Sequence, residues 1–223
     1  MSKLSTLALG LGLAITTAVT AIAAPFLQIT VQQGAGVIQS ATGTNPLVTN
    51  LTTPTFFVNV QTGIVDTAAP SIDLGSSILA NGAGTLTVTL SVQGLTSLVD
   101  ANKWLTQFSG NWSTPNTTVT LKTYIADNNG LVNTANNTLP GGAVLLSTLI
   151  GSATPFATLA TSGTTNTTGT FSLIEVLTVT TSGAGAISLD GSITRVPEPM
   201  SIALFGAALL GMGGLARRSR KQG

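Results

Sequence analysis

Apolar and polar residues alternate along much of the middle of the chain with a period of two. Leu86, Val88, Leu90 and Val92 take turns with Thr85, Thr87, Thr89 and Ser91. Phe56, Val58 and Val60 are backed in the same way by Thr55, Asn59 and Gln61. Val119, Leu121 and Thr123 alternate with Thr118, Thr120 and Lys122. Phe171, Leu173 and Glu175 oppose Ser172, Ile174 and Val176, and the series continues through Leu177 and Val179 against Thr178 and Thr180. Ile187, Leu189 and Gly191 lead to Ile193. Successive side chains of a strand point to opposite faces, so this period marks strands with one buried and one wet face. Thr and Val also suit a pleated surface.

Turn-forming runs punctuate the strands: Asn81-Gly82, Asp127-Asn128-Asn129-Gly130, Pro140-Gly141-Gly142, Ser182-Gly183 and Asp190-Gly191. Gly34–Asn50 and Thr161–Gly169 are rich in Gly, Thr and Asn and read as loops. Ser97–Phe108 fits a short helix, a strand or an irregular crossing. No repeat of 20–50 residues stands out, which disfavours a solenoid. The expectation is an all-β fold, an antiparallel β-sandwich of seven to nine strands. It would be flanked by an N-terminal signal helix and a C-terminal transmembrane helix.

Both ends carry targeting patterns. Lys3 gives a positive start, Leu4–Val19 is apolar and free of charge, and Ala21 and Ala23 place small residues where a signal peptidase reads. Residues 1–23 are therefore expected to be a signal peptide, with cleavage after Ala23. At the other end come Val196, Pro197, Glu198 and Pro199, then 17 uncharged residues from Met200 to Ala216, then Arg217, Arg218, Arg220 and Lys221. A helix over 17 residues is about 25 Å long, slightly short of a hydrocarbon core of ~30 Å, a gap that flanking arginines cover by snorkelling. The basic end is expected to stay in the cytoplasm and leave the domain of residues 24–195 outside.

The order Pro-Glu-Pro, apolar helix, arginine cluster over residues 196–223 resembles the PEP-CTERM sorting tail. The resemblance implies recognition by an exosortase at the inner membrane, after signal peptidase has acted. It implies release or transfer of the passenger outside that membrane, in bacteria that make extracellular polysaccharide. It says little about the passenger itself.

Composition narrows the passenger's chemistry. Charged residues are 7% of the chain, against a usual ~25%. The formal net charge is +1, but four of the eight cations are Arg217, Arg218, Arg220 and Lys221. Between residues 24 and 196, Lys103, Lys122 and Arg195 face Asp66, Asp73, Asp100, Asp127, Glu175 and Asp190, a balance of −3. Phosphate binding needs clustered Lys and Arg, so no nucleic-acid partner is expected. There is no Cys and no His. The absent His removes the commonest general base and metal ligand, and neither a metal nor a cofactor is expected.

Four candidate chemistries remain. Trp104, Trp112 and Tyr124 offer aromatic rings for sugar stacking, against the alternative that large aromatics are core. Paired carboxylates would serve a glycoside hydrolase, but Glu175 lies in a strand and the Asp residues mostly at turns. Asp127-Asn128-Asn129-Gly130 clusters oxygens, though it is short for a calcium loop and reads better as a hairpin turn. Thr85-x-Thr87-x-Thr89, with Thr178 and Thr180, has the spacing of an ice-binding surface, which requires several such strands in register. The reading favoured is an exported, non-enzymatic surface or matrix protein that associates with exopolysaccharide, in a biofilm setting, or with copies of itself. A carbohydrate-binding module with an aromatic site is the first alternative.

Overall fold

A computed structural model describes residues 25–196 except 37, 64–69, 97–102, 163, 164, 166 and 168. The signal peptide, the apolar segment 200–216 and the basic end lie outside the described residues. Of the sorting motif only Val196 is within them.

Twelve strands run in chain order: β1 Phe26–Gln33, β2 Ile38–Thr44, β3 Val48–Thr52, β4 Phe56–Gly63, β5 Ser71–Ala80, β6 Gly84–Thr96, β7 Lys103–Trp112, β8 Thr118–Ala126, β9 Val144–Gly151, β10 Phe156–Thr161, β11 Thr170–Thr181 and β12 Gly185–Val196. They form two six-stranded antiparallel sheets. The first has the order β2-β1-β6-β11-β8-β9, the second β10-β7-β12-β5-β4-β3. Sheet 1 and sheet 2 face one another across a single apolar core. Among the described residues there is no helix.

The alternation read from the sequence sets which side of each strand is buried. Leu86, Val88, Leu90 and Val92 point inward from β6, and Leu27, Ile29 and Val31 do so from β1. Phe56, Val58 and Val60 meet them from β4, as do Ile72, Leu74 and Ile78 from β5. Trp104 is the largest fully buried side chain, edge-on to Phe171 at 5.9 Å between ring centres. The core also holds a polar link between the sheets. The hydroxyls of Thr106, Thr123 and Ser147 form a triangle with sides of 3.1, 2.8 and 2.9 Å. Each hydroxyl is buried but finds partners, so its burial is compensated.

Several expectations are corrected. The strands number twelve rather than seven to nine, because Gly34–Asn50 is not all loop. It contains β2 and the start of β3, whose small and polar residues give no apolar run to read; they pair because they close the edges of the two sheets. Ser97–Phe108 resolves in its second half as the start of β7. Asp190-Gly191 is not a turn but lies inside β12, paired with β5 and β7. Gly191 is needed there for close approach: a Cβ would come within 2.9 Å of Leu121 Cδ2 from the opposite sheet.

One irregular segment decides which faces are open. Residues 127–143, between β8 and β9, fold over the outer side of sheet 1. Thr30 Oγ1 donates to Asn137 Oδ1 at 2.7 Å, and Ser172 Oγ donates to the Gly130 carbonyl at 2.7 Å. The Gly94 amide donates to Asn129 Oδ1 at 2.7 Å. Beneath this cover Thr30, Thr89, Ser91 and Ser172 are buried although they point away from the core. Sheet 2 has no such cover among the described residues.

Candidate functional site

The bare outer face of sheet 2 is built from the alternate residues its strands turn away from the core. Antiparallel register places these in rows across the sheet. One row runs Asn50, Asn59, Ser77, Ser188, Asn111 over β3, β4, β5, β12 and β7. The next runs Gln61, Gly75, Asp190, Ser109, Ala157 over β4, β5, β12, β7 and β10. A third holds Asp73, Ser192, Gln107 and Leu159. The side chains are short amides and hydroxyls with one pair of acids at the centre. On the far side of the first row lie Phe57 and Leu79, directly paired and 43% and 49% exposed. Leu159, 68% exposed, borders the third row.

Three shallow depressions join along this face. One, of about 360 Å³, lies among Gln107, Ser109, Leu159, Asp190 and Ser192. A second, of about 280 Å³, lies among Asn59, Gln61, Gly75, Ser77, Ser188 and Asp190. A third, of about 320 Å³, is lined by Ser77, Asn111, Trp112 and Ser188. Asp190 is common to the first two, and Ser77 and Ser188 to the last two. The first two together make a shallow trough across the strands from β10 to β4, and the third lies further along β12 and β7. Glycine at 75 keeps the middle of the trough low.

Asp73 and Asp190 sit on adjacent strands, diagonal to one another. Partial burial, the charge of Asp190 and a hydrogen bond with it push Asp73 up to about 6. Glu175 is a separate case. It points from β11 into the core, is fully buried, and neither carboxyl oxygen has a hydrogen-bond partner. Burial holds its carboxyl well above the usual range, and the charges of Asp73 and Asp190 add to this.

The three aromatic candidates are not brought together. Trp104 is 0% exposed, and its indole Nε1 donates to Thr165 Oγ1 at 2.9 Å. Trp112 is half-buried, tilted over Phe156 at 5.5 Å, and touches the rim of the sheet 2 trough. Tyr124 lies on the outer side of sheet 1, where partial burial raises its phenol. In the turn at 127–130, Asn128 Oδ1 accepts from the Gly130 amide at 3.0 Å and Asn129 Oδ1 from Gly94. The amide oxygens proposed for calcium are thus engaged in shaping the cover. Among the described residues no three His, Cys, Asp or Glu converge on a point.

The threonines do align beyond what spacing alone indicated. Thr85, Thr180 and Thr118 form one row over β6, β11 and β8, and Thr87, Thr178 and Thr120 the next. The patch is two residues deep. Thr85 and Thr180 bond to each other at 3.1 Å, and the following row replaces threonine by Val176 and Lys122.

Sequence reasoning missed Phe57 and the polar rows of sheet 2. Asn59, Ser77 and Ser188 are ordinary wet-face residues when read along the chain. Only the pairing of five strands makes them a row.

Fold and face together define an all-β sandwich with one covered and one bare sheet. No family model and no curated protein matches the chain. Among solved structures it aligns with the infectious bursal disease virus VP2 subviral particle at 9% identity and a TM-score of 0.15, over 90% of this chain and 71% of that one. That likeness carries no argument about fold or function.

Proposed function

We propose that the chain is an exported, non-enzymatic protein of the cell surface or extracellular matrix, sorted by an exosortase and associated with polysaccharide. The export and sorting rest on the sequence patterns of the two ends, which resemble a signal peptide and a PEP-CTERM tail. The association with polysaccharide rests on one observation: the bare face of sheet 2 presents in-register rows of amides and hydroxyls beside exposed Phe57 and Leu79. Such groups exchange hydrogen bonds with sugar hydroxyls, and apolar side chains cover the C–H faces of pyranose rings. Hydrolysis is disfavoured. Asp73 and Asp190 lie diagonal to one another on the same open sheet face, so they do not stand across a groove to flank a glycosidic bond. Glu175 is sealed in the core.

The test is mass spectrometry and binding on protein recovered from the extracellular matrix of the producing cell. The expected product begins at Ala24, ends upstream of Met200, and co-sediments with the polysaccharide. A full-length chain confined to the cytoplasm, or a reporter fused after Gly223 that is periplasmic, overturns the reading.

A further inference from the structure

Deepening the polysaccharide reading, on which it rests, we propose that the sheet 2 trough takes an amine-bearing polymer, a β-linked and at least partly N-deacetylated hexosamine chain. The chain would lie across the strands with Asp73 and Asp190 as its counter-charge.

Register comes first. The row Gln61, Gly75, Asp190, Ser109, Ala157 spans five neighbouring strands, with Asp73 diagonal to Asp190 on one side and the row Asn50, Asn59, Ser77, Ser188, Asn111 on the other, so at ~4.8 Å per strand it is about 19 Å long. An extended β-linked pyranose chain advances by about one strand spacing per sugar. A chain laid along the row would therefore keep step with the strands, meeting the Gln61 amide, the Asp190 carboxylate and the Ser109 hydroxyl in turn, with the amides and hydroxyls of the adjacent row along its edge. The first two depressions, which share Asp190, together cross the sheet in the same direction from β10 to β4.

Charge selects among polymers. The central rows carry acid and no base: among the described residues of this face the nearest cation is Lys103, at the start of β7, four residues along the strand from Gln107. Arg195 belongs to the inward set of β12. An anionic polysaccharide would meet Asp73 and Asp190 head on. A neutral one would offer the acid pair hydroxyl donors alone and leave its charge uncompensated, which recovers less of the cost of desolvating a charged group. A protonated amine at the same height donates to the carboxylates directly and offsets that loss. The remaining amides and hydroxyls stay available for sugar hydroxyls and for any retained acetamido groups.

The experiment uses purified full-length protein in non-ionic detergent, with four insoluble or immobilised polymers: poly-β-1,4-glucosamine, its N-acetylated form, an unsubstituted β-1,4-glucan and a polyuronate. Tightest retention is expected on the glucosamine polymer, weakened by added salt, and weakened about tenfold in Asp73→Asn/Asp190→Asn, the loss of hydrogen bonds to a charged acceptor. Both substitutions lie on the outer face and leave the core intact. Salt dependence of the unaltered protein gives a readout that needs no variant. Equal retention on the glucan and glucosamine polymers, or no change in the double variant, overturns the amine preference and leaves the polysaccharide reading standing. Retention on none of the four overturns both.

Discussion

Glu175 is the group whose replacement most directly tests how this core is held. It is 0% exposed, both oxygens lack partners, and its cross-strand neighbours are Leu90 and Thr123. A buried polar group without a hydrogen bond costs about 1–3 kcal/mol even when neutral. Glu175→Met keeps the length and flexibility of the side chain and removes that loss. A gain near ~2 kcal/mol corresponds to a Tm rise of about 4–8 °C for a domain of this size. The effect also depends on pH. Folded Glu175 holds its proton well above 4.5, whereas the unfolded chain releases it near that value. Between the two the folded state binds more protons, so stability is fully present below the unfolded value and falls as pH rises, by ~1.4 kcal/mol per unit, until the folded value is passed. The Met variant loses this component, so its advantage widens with pH. Urea unfolding of both proteins between about pH 5 and 8 measures it. A Met variant less stable than its parent at every pH, or one with an unchanged pH slope, refutes the reasoning. Asp73, raised to about 6, adds a slope of the same sign between 3.8 and 6 to both proteins and cancels in the comparison.

Two further substitutions probe packing. Gly110→Ala places a Cβ 2.5 Å from Leu189 Cδ2 and 2.6 Å from the Ser188 carbonyl oxygen; backbone cannot yield as a side chain does, so thermal unfolding is expected to show a loss of about 1–3 kcal/mol. Trp104→Ala empties the largest buried site and removes the indole donor to Thr165 Oγ1; the expected loss is about 3–5 kcal/mol by urea midpoint at constant slope.

Strand identity was legible where the wet face and the dry face differ in polarity, as in Leu86–Val92, because burial of one side imposes the period. It was not legible in β2 and β3. Ser40, Thr42 and Gly43 carry little apolar signal, and β3 turns only Leu51 against the core, so these two edge strands show no apolar run. Glu175 fell on the apolar side of its alternation, which was a correct sign of burial. Asp190-Gly191 misled because the same dipeptide that bends a hairpin also fits a strand that must let Leu121 approach.

The sequence by itself determined the all-β class, the low-charge surface and the patterns at the two ends, since each depends on local composition or on a period of two along one strand. Only the tertiary structure decided which wet face stays wet. Residues 127–143 cover sheet 1 while no described segment covers sheet 2, and residues as distant as Asn50 and Ser188 join one row through pairings that no local pattern encodes. Polarity along a strand tells which residues face away from the core; which other segment then packs on them is settled by the three-dimensional path of the chain.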